Sequence, residues 1–160
     1  HAQARLILVS RTMIDKNDAD ALKAGHHPDF NPANQVVLPA HAVSLDHSLG
    51  QNTIRYTNYA PHSQSVEVHS SSPAYLVFSE VWYPGWSATL NGVSTTLLKA
   101  NYAFRAVYIP TGKHTVTLEF APTSFPYAPA ISISTLVAVL ALLATSLYHQ
   151  PRGSNAHHKD

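Results

Sequence analysis

The chain has no cysteine among its 160 residues, which excludes disulfides and thiolate metal sites but leaves the compartment open. Charge is also scarce, at 12% of residues with a formal net charge of +1. The basic footprint of a nucleic-acid binder is therefore missing, and no nucleic-acid partner is expected. No glycine-rich phosphate loop is followed by Lys-Ser or Lys-Thr, and no G-x-S-x-G elbow occurs, so nucleotide hydrolysis and serine catalysis have no support. Histidine is plentiful, with eleven residues, but H-E-x-x-H is absent. The adjacent pairs His26-His27 and His157-His158 lack the i, i+4 spacing of a helical metal site, so neither a metal nor another cofactor is expected. The opening "HAQARLILVS" has no initiator Met, no basic leader and no apolar leader, and it reads as part of a longer protein. The length suits one domain of ordinary size, able to bury a core without staples.

What is present in abundance is apolar sequence near the end. No Asp, Glu, Lys or Arg lies between Glu119 and Arg152, and that gap holds "APAISISTLVAVLALLATSLYHQ". A helix crossing the hydrocarbon layer needs about 20 mostly apolar residues, and Pro129 to Tyr148 supplies them. Leu136 to Ala144 is apolar all round, without the polar stripe of a soluble surface helix. The hydroxyls of Ser132, Ser134, Thr135, Thr145 and Ser146 can bond to carbonyls of their own helix. Arg152 and Lys159 follow, so the positive-inside tendency puts the tail in the cytoplasm and the residues before about 127 outside.

Before the helix the chain reads as mainly β. "ARLILVS" suits a buried strand, and "DKNDADALKAGHH" carries helix-start chemistry, with Asn17 or Asp18 as cap and Gly25 as terminator. "HHPDFNPANQ" is a loop, followed by a short strand at Val36 to Leu38. Ile54, Tyr56 and Asn58 alternate with Arg55, Thr57 and Tyr59, and Val66 and Val68 with Ser65, Glu67 and His69, predicting two antiparallel strands. "AYLVFSEVW" is apolar enough for a central strand covered on both faces. Asn91-Gly92 between "WSATL" and "VSTTLL" predicts a tight hairpin. "FRAVYI" and "TVTLEF" predict a second hairpin around "PTGKH", with Val116, Leu118 and Phe120 inward. Short strands at this spacing argue for an antiparallel sandwich, jelly-roll or immunoglobulin-like. The expected divisions are a strand-helix-loop segment (1–50) on the sandwich (51–127), a transmembrane helix (128–149) and a cytoplasmic tail (150–160).

The order "SEVWYPGWSATLNG", "LLKANYAFRAVYIPTGKHTVTLEFAP" and apolar helix closely resembles the C-terminal end of bacterial YfhO-type multipass membrane proteins. The earlier "ARLILVS", "DADAL" and "PDFNPANQVVL" are similar to the segment preceding it, so the resemblance spans about Ala4 to Tyr148. Its most specific part is the succession Tyr83-Pro84-Gly85-Trp86, Asn91-Gly92, Asn101-Tyr102, Arg105 and Gly112-Lys113-His114. The resemblance implies a protein similar to C-type glycosyltransferases, which take sugars from lipid-linked donors outside the bacterial cytoplasmic membrane. Their catalytic acids lie in an early outer loop that has no counterpart here, so no catalytic residue is carried over. Implied partners are membrane lipids, the N-terminal transmembrane part of the same protein, and a lipid-linked sugar or glycan.

The site candidates each have a plainer alternative. Trp82, Tyr83, Trp86 and Tyr102 can stack on a sugar, but Trp86 shares a strand face with Ala88 and Leu90, which is a core pattern. Contact with lipid headgroups is a third role for such rings. Glu80 inside an apolar run needs a partner, and Arg105 and Lys99 are available; a structural ion pair is favoured over acid catalysis, since no second carboxylate is near in sequence. Asn101 can cap a turn or support a facing loop. Lys113 and His114 sit in a glycine-permitted turn, solvated or facing an anionic lipid phosphate. The reading is a non-catalytic extracytoplasmic β-domain with a membrane anchor; a carbohydrate-binding module and a purely structural assembly domain are the alternatives.

Overall fold

Val66, Val68, Val116 and Leu118 are all buried, as their alternation with polar residues requires of a sheet with one wet face. The computed structural model describes residues 6–15, 18–25, 27–122 and 128–148. Its elements are β1 (Leu6–Val9), β2 (Arg11–Asp15), α1 (Asp18–Gly25), β3 (Gln35–Pro39), β4 (Asn52–Ala60), β5 (Ser63–Ser70), β6 (Ala74–Phe78), β7 (Trp86–Leu90), β8 (Val93–Thr95), β9 (Leu97–Ala100), β10 (Phe104–Ile109), β11 (Gly112–Phe120) and α2 (Ala128–Tyr148). Two compact units result, His1–Pro122 and Thr123–Asp160. The proposed caps Asn17 and Asp18, His26, His157, His158, Arg152 and Lys159 fall on residues or side chains outside those described.

In the first unit a four-stranded antiparallel sheet, order β1-β6-β10-β9, faces a five-stranded one, order β4-β5-β11-β7-β8. One core cluster joins them: Leu8, Leu76, Phe78, Val107 and Ile109 from the first sheet meet Val66, Val68, Ala88, Val116 and Leu118 from the second. The opposite face of the four-stranded sheet is also covered. Val9, Tyr75, Val77, Leu98 and Ala106 there pack with Val36, Leu38 and Leu45. Strand β6 is thus buried on both sides, as its unbroken apolar run predicts. Burial of each such large side chain contributes roughly 1.5–3 kcal/mol. The Tyr75 hydroxyl in the second cluster bonds both to the Val43 carbonyl, at 3.0 Å, and to its N–H, at 2.9 Å. Burial pushes the Tyr75 phenol pKa up, the Val43 bond opposing.

Several expectations need correction. β2 was not foreseen; it pairs in parallel with β3, and the short mixed run "RTMID" gives no clear alternation. The chain after β6 leaves the strand at Phe78, so Glu80 sits in the following loop and not inside a strand. Strands β10 and β11 do not pair as a hairpin. β10 joins β6 and β9, whereas β11 joins β5 and β7, so "PTG" is an arch between sheets. The expected facing of Val116 and Leu118 survives because it depends on parity alone. In β4 the register shifts between Tyr56 and Asn58, and this bulge brings Tyr59 to the face that Tyr56 already occupies, against simple alternation.

The second unit contains α2. Ile133, Leu136, Val137, Val139, Leu140, Leu142 and Leu143 are exposed along it. Among the described residues, however, no helix is long and apolar enough to cross a membrane. The transmembrane expectation is therefore unsupported by the structure, while the helix itself is present.

Candidate functional site

The loop from Ser79 to Gly85 carries the chain from β6 in one sheet to β7 in the other, across one end of the sandwich. Two constraints shape it. The Trp82 N–H donates to the Ala103 carbonyl at 2.7 Å, and the Gly85 carbonyl accepts from Ala121 N–H at 2.8 Å. Gly85 has φ 107°, a conformation other residues rarely adopt.

The loop brings Glu80 over Arg105, whose side chain is 1% exposed against 24% for Glu80. Arg105 points between the sheets because it shares parity with Val107 and Ile109 in β10. Its Nη2 donates to Glu80 Oε2. Gln64 Nε2 donates to the same oxygen at 2.6 Å, and the Tyr59 hydroxyl to Oε1 at 3.2 Å. The guanidinium carbon lies 4.1 Å from the Trp86 ring centroid and 6.0 Å from that of Phe78, cation–π contacts that strengthen where water is excluded. Arg105 Nε and Nη1 have no hydrogen-bond partner among the described residues. Burial pushes the Arg105 pKa down, and the Glu80 carboxylate opposes that. Desolvation therefore outweighs pairing, and the charged form is a stability cost at every pH below both folded and unfolded values.

Chemically the cluster is a lock. Both Glu80 oxygens are committed to protein donors, and its described partners include no second carboxylate of the kind glycoside chemistry uses. Lys99, the other cation considered for Glu80, instead places Nζ 4.7 Å from the Tyr102 ring. Trp86 is half-buried, its ring 5.3 Å from Phe120, and Tyr83, 61% exposed, lies 6.2 Å from the same ring.

Asn101 and Tyr102 turn the chain from β9 to β10 with φ of 47° and 69°. Asn101 clamps β3, its Oδ1 accepting from Val37 N–H at 2.8 Å and its N–H donating to the Val37 carbonyl at 2.9 Å. Asn101→Ala leaves a buried amide unsatisfied and should cost about 2 kcal/mol in urea unfolding. Asn101→Gly, which keeps the backbone freedom, should recover only the smaller, conformational part; a glycine variant as stable as wild type would show that the side-chain bond contributes nothing.

Lys113 and His114 belong to a different place. They begin β11, whereas Phe120, beside Trp86, ends it, about 23 Å away along an extended strand. The nine candidates thus split, with Glu80, Trp82, Tyr83, Trp86, Asn101, Tyr102 and Arg105 near one end of the sandwich and Lys113 and His114 towards the other. Gln64 and Tyr59 were missed. Extending the parity of Val66 and Val68 back by one step would have turned Gln64 inward; the β4 bulge that delivers Tyr59 leaves no such signal. Among the described residues no group of three or more His, Asp or Glu could hold a metal ion.

Comparison with curated proteins and with solved structures gave no match. The family model described as bacterial membrane protein YfhO matches residues 40–132, a span that holds the two-sheet core from β4 to β11 and the whole Glu80–Arg105 cluster. The chain belongs to the YfhO family of bacterial membrane proteins.

Proposed function

We propose that this chain is a non-catalytic extracytoplasmic β-domain, attached to the cytoplasmic membrane through α2, of a protein that transfers glycosyl groups from lipid-linked sugars to cell-envelope acceptors. The observation that carries the non-catalytic reading is the commitment of Glu80 to Arg105, Gln64 and Tyr59. A half-buried acid held this way positions a loop and offers no free acid–base pair. Membership of a membrane-protein family and the exposed apolar side chains of α2 support the attachment, since contiguous apolar surface of that extent marks an interaction site. In this reading residues 150–160, outside the described part, face the cytoplasm, and the partners are lipid and the N-terminal membrane part of the same protein.

The absence of cysteine makes the test clean. A single cysteine at the exposed Ser94 should react with a membrane-impermeant maleimide on intact bacterial spheroplasts, and the protein should resist carbonate extraction unless residues 128–148 are removed. Labelling only after lysis, or release by carbonate with α2 intact, would sink the topology. The exposure of Tyr83 and Tyr102 keeps a glycan-contacting role as the second reading. Loss of glycan-array binding in Tyr83→Ala or Tyr102→Ala, with wild type binding, would establish it.

A further inference from the structure

The outer face of the five-stranded sheet carries a groove of about 530 Å³ that the Glu80 cluster does not touch. Two cross-strand rows floor it. Thr53, His69 and Lys113 stand in register on β4, β5 and β11, and Arg55, Glu67 and Thr115 form the next row on the same face. Partners in such rows lie about 4.5–5.5 Å apart. The β7–β8 turn closes one side, because Asn91 accepts from Thr115 N–H through Oδ1 at 2.8 Å and its own N–H donates to the Thr115 carbonyl at 2.8 Å.

The donors are unevenly used. Asn91 Nδ2 must then donate to His114 Nδ1, 3.0 Å away, leaving His114 Nε2–H to donate to the Thr111 carbonyl at 3.3 Å. Both ring nitrogens of His114 are thus engaged by the protein itself. Arg55 Nη2 donates to Glu67 at 2.7 Å. Lys113, by contrast, is exposed and has no side-chain partner among the described residues. His69 beside it has a buried Nδ1 without a hydrogen-bond partner among them.

We propose that this groove binds a phosphate-bearing ligand of sugar size, with Lys113, Arg55 and His69 holding the phosphate. Two cations against one carboxylate leave an excess of positive charge, and charge-assisted N–H donors suit phosphate oxygens. The volume falls in the range of small-molecule sites, about 300–1,000 Å³, so a bare phosphate would leave most of it unfilled. The remaining lining of Thr53, Thr115, Asn91 and the Glu67 carboxylate offers the hydroxyl, amide and acceptor groups that a polyol body needs.

The test is an amide-resolved NMR titration of the full chain in mild detergent with glucose 1-phosphate, glucose, inorganic phosphate and phosphatidylglycerol bicelles. Glucose 1-phosphate should shift Thr53, His69, Lys113 and Thr115, glucose alone should not, and Lys113→Ala should weaken the response about tenfold, as loss of one charged hydrogen bond does. Lys23→Ala, a cation outside the groove, should leave it unchanged. Shifts of the same amides by the bicelles but not by glucose 1-phosphate would assign the phosphate to a lipid headgroup, and the reverse pattern to a soluble ligand. Silence of the groove towards every phosphate probe, an equal response in Lys113→Ala, or an equal loss in Lys23→Ala would overturn the proposal.

Discussion

Glu80→Ala lowers the stability of the β-domain by about 3 kcal/mol, because it strands a guanidinium that is 1% exposed without its counter-ion. Urea unfolding of the full chain in mild detergent reads this directly. The informative comparison is the double variant Glu80→Ala with Arg105→Met. Burial depresses the Arg105 pKa more than Glu80 raises it, so removing the charge as well as its partner should regain most of the loss. Met fills much of the arginine volume and keeps contact with Trp86 and Phe78. A single variant costing less than about 1 kcal/mol, the range of an exposed pair, would show that Glu80 is solvated in solution and that the lock does not exist. A double variant no better than the single one would show that packing, not charge, is what Arg105 contributes.

Gly85→Ala should be comparably damaging for a different reason. The residue has φ 107°, and an added Cβ would lie 3.0 Å from Pro122 Cα and 3.1 Å from Phe120 Cε2. Backbone strain of this kind costs about 1–3 kcal/mol, and overpacking typically adds about 1–3 more. Gly92→Ala is the internal control. It also has positive φ, 80°, but nothing lies within 4 Å of its Cβ position, so it should show the strain alone. The difference between the two unfolding free energies isolates the fit of the loop against β11 and Pro122. If both variants lose the same amount, that fit is not tight.

The sequence was legible where one physical rule decides the outcome. Asn91-Gly92 specified the β7–β8 turn, because positive φ at both positions is tolerated by few residue pairs. The apolar run of β6 specified a strand covered on both faces, and parity specified the inward set of β11. Pairing was less legible, since alternation tells which side faces the core and says nothing about which strand is the neighbour. The "FRAVYI" and "TVTLEF" runs fit a hairpin as well as they fit an arch, and only the competition of β6 and β5 for those edges decides between them. Arg105 was recognisable, beside Lys99, as a partner for Glu80, since an acid inside an apolar run demands a cation. Their supporting partners depended on a bulge and on loop geometry, which leave little trace in composition.

The place of β11 has a mechanical consequence. It is the middle strand of five, laddered to β5 from Gly112 to Glu119 and to β7 from Val116 to Phe120, and the connection towards α2 leaves from its end. Any pull on α2 therefore loads the centre of the sheet, not a free margin. Force along that strand would have to shear hydrogen bonds on both flanks together instead of unzipping them one by one, so the sheet meets a load at Phe120 where it can bear most tension.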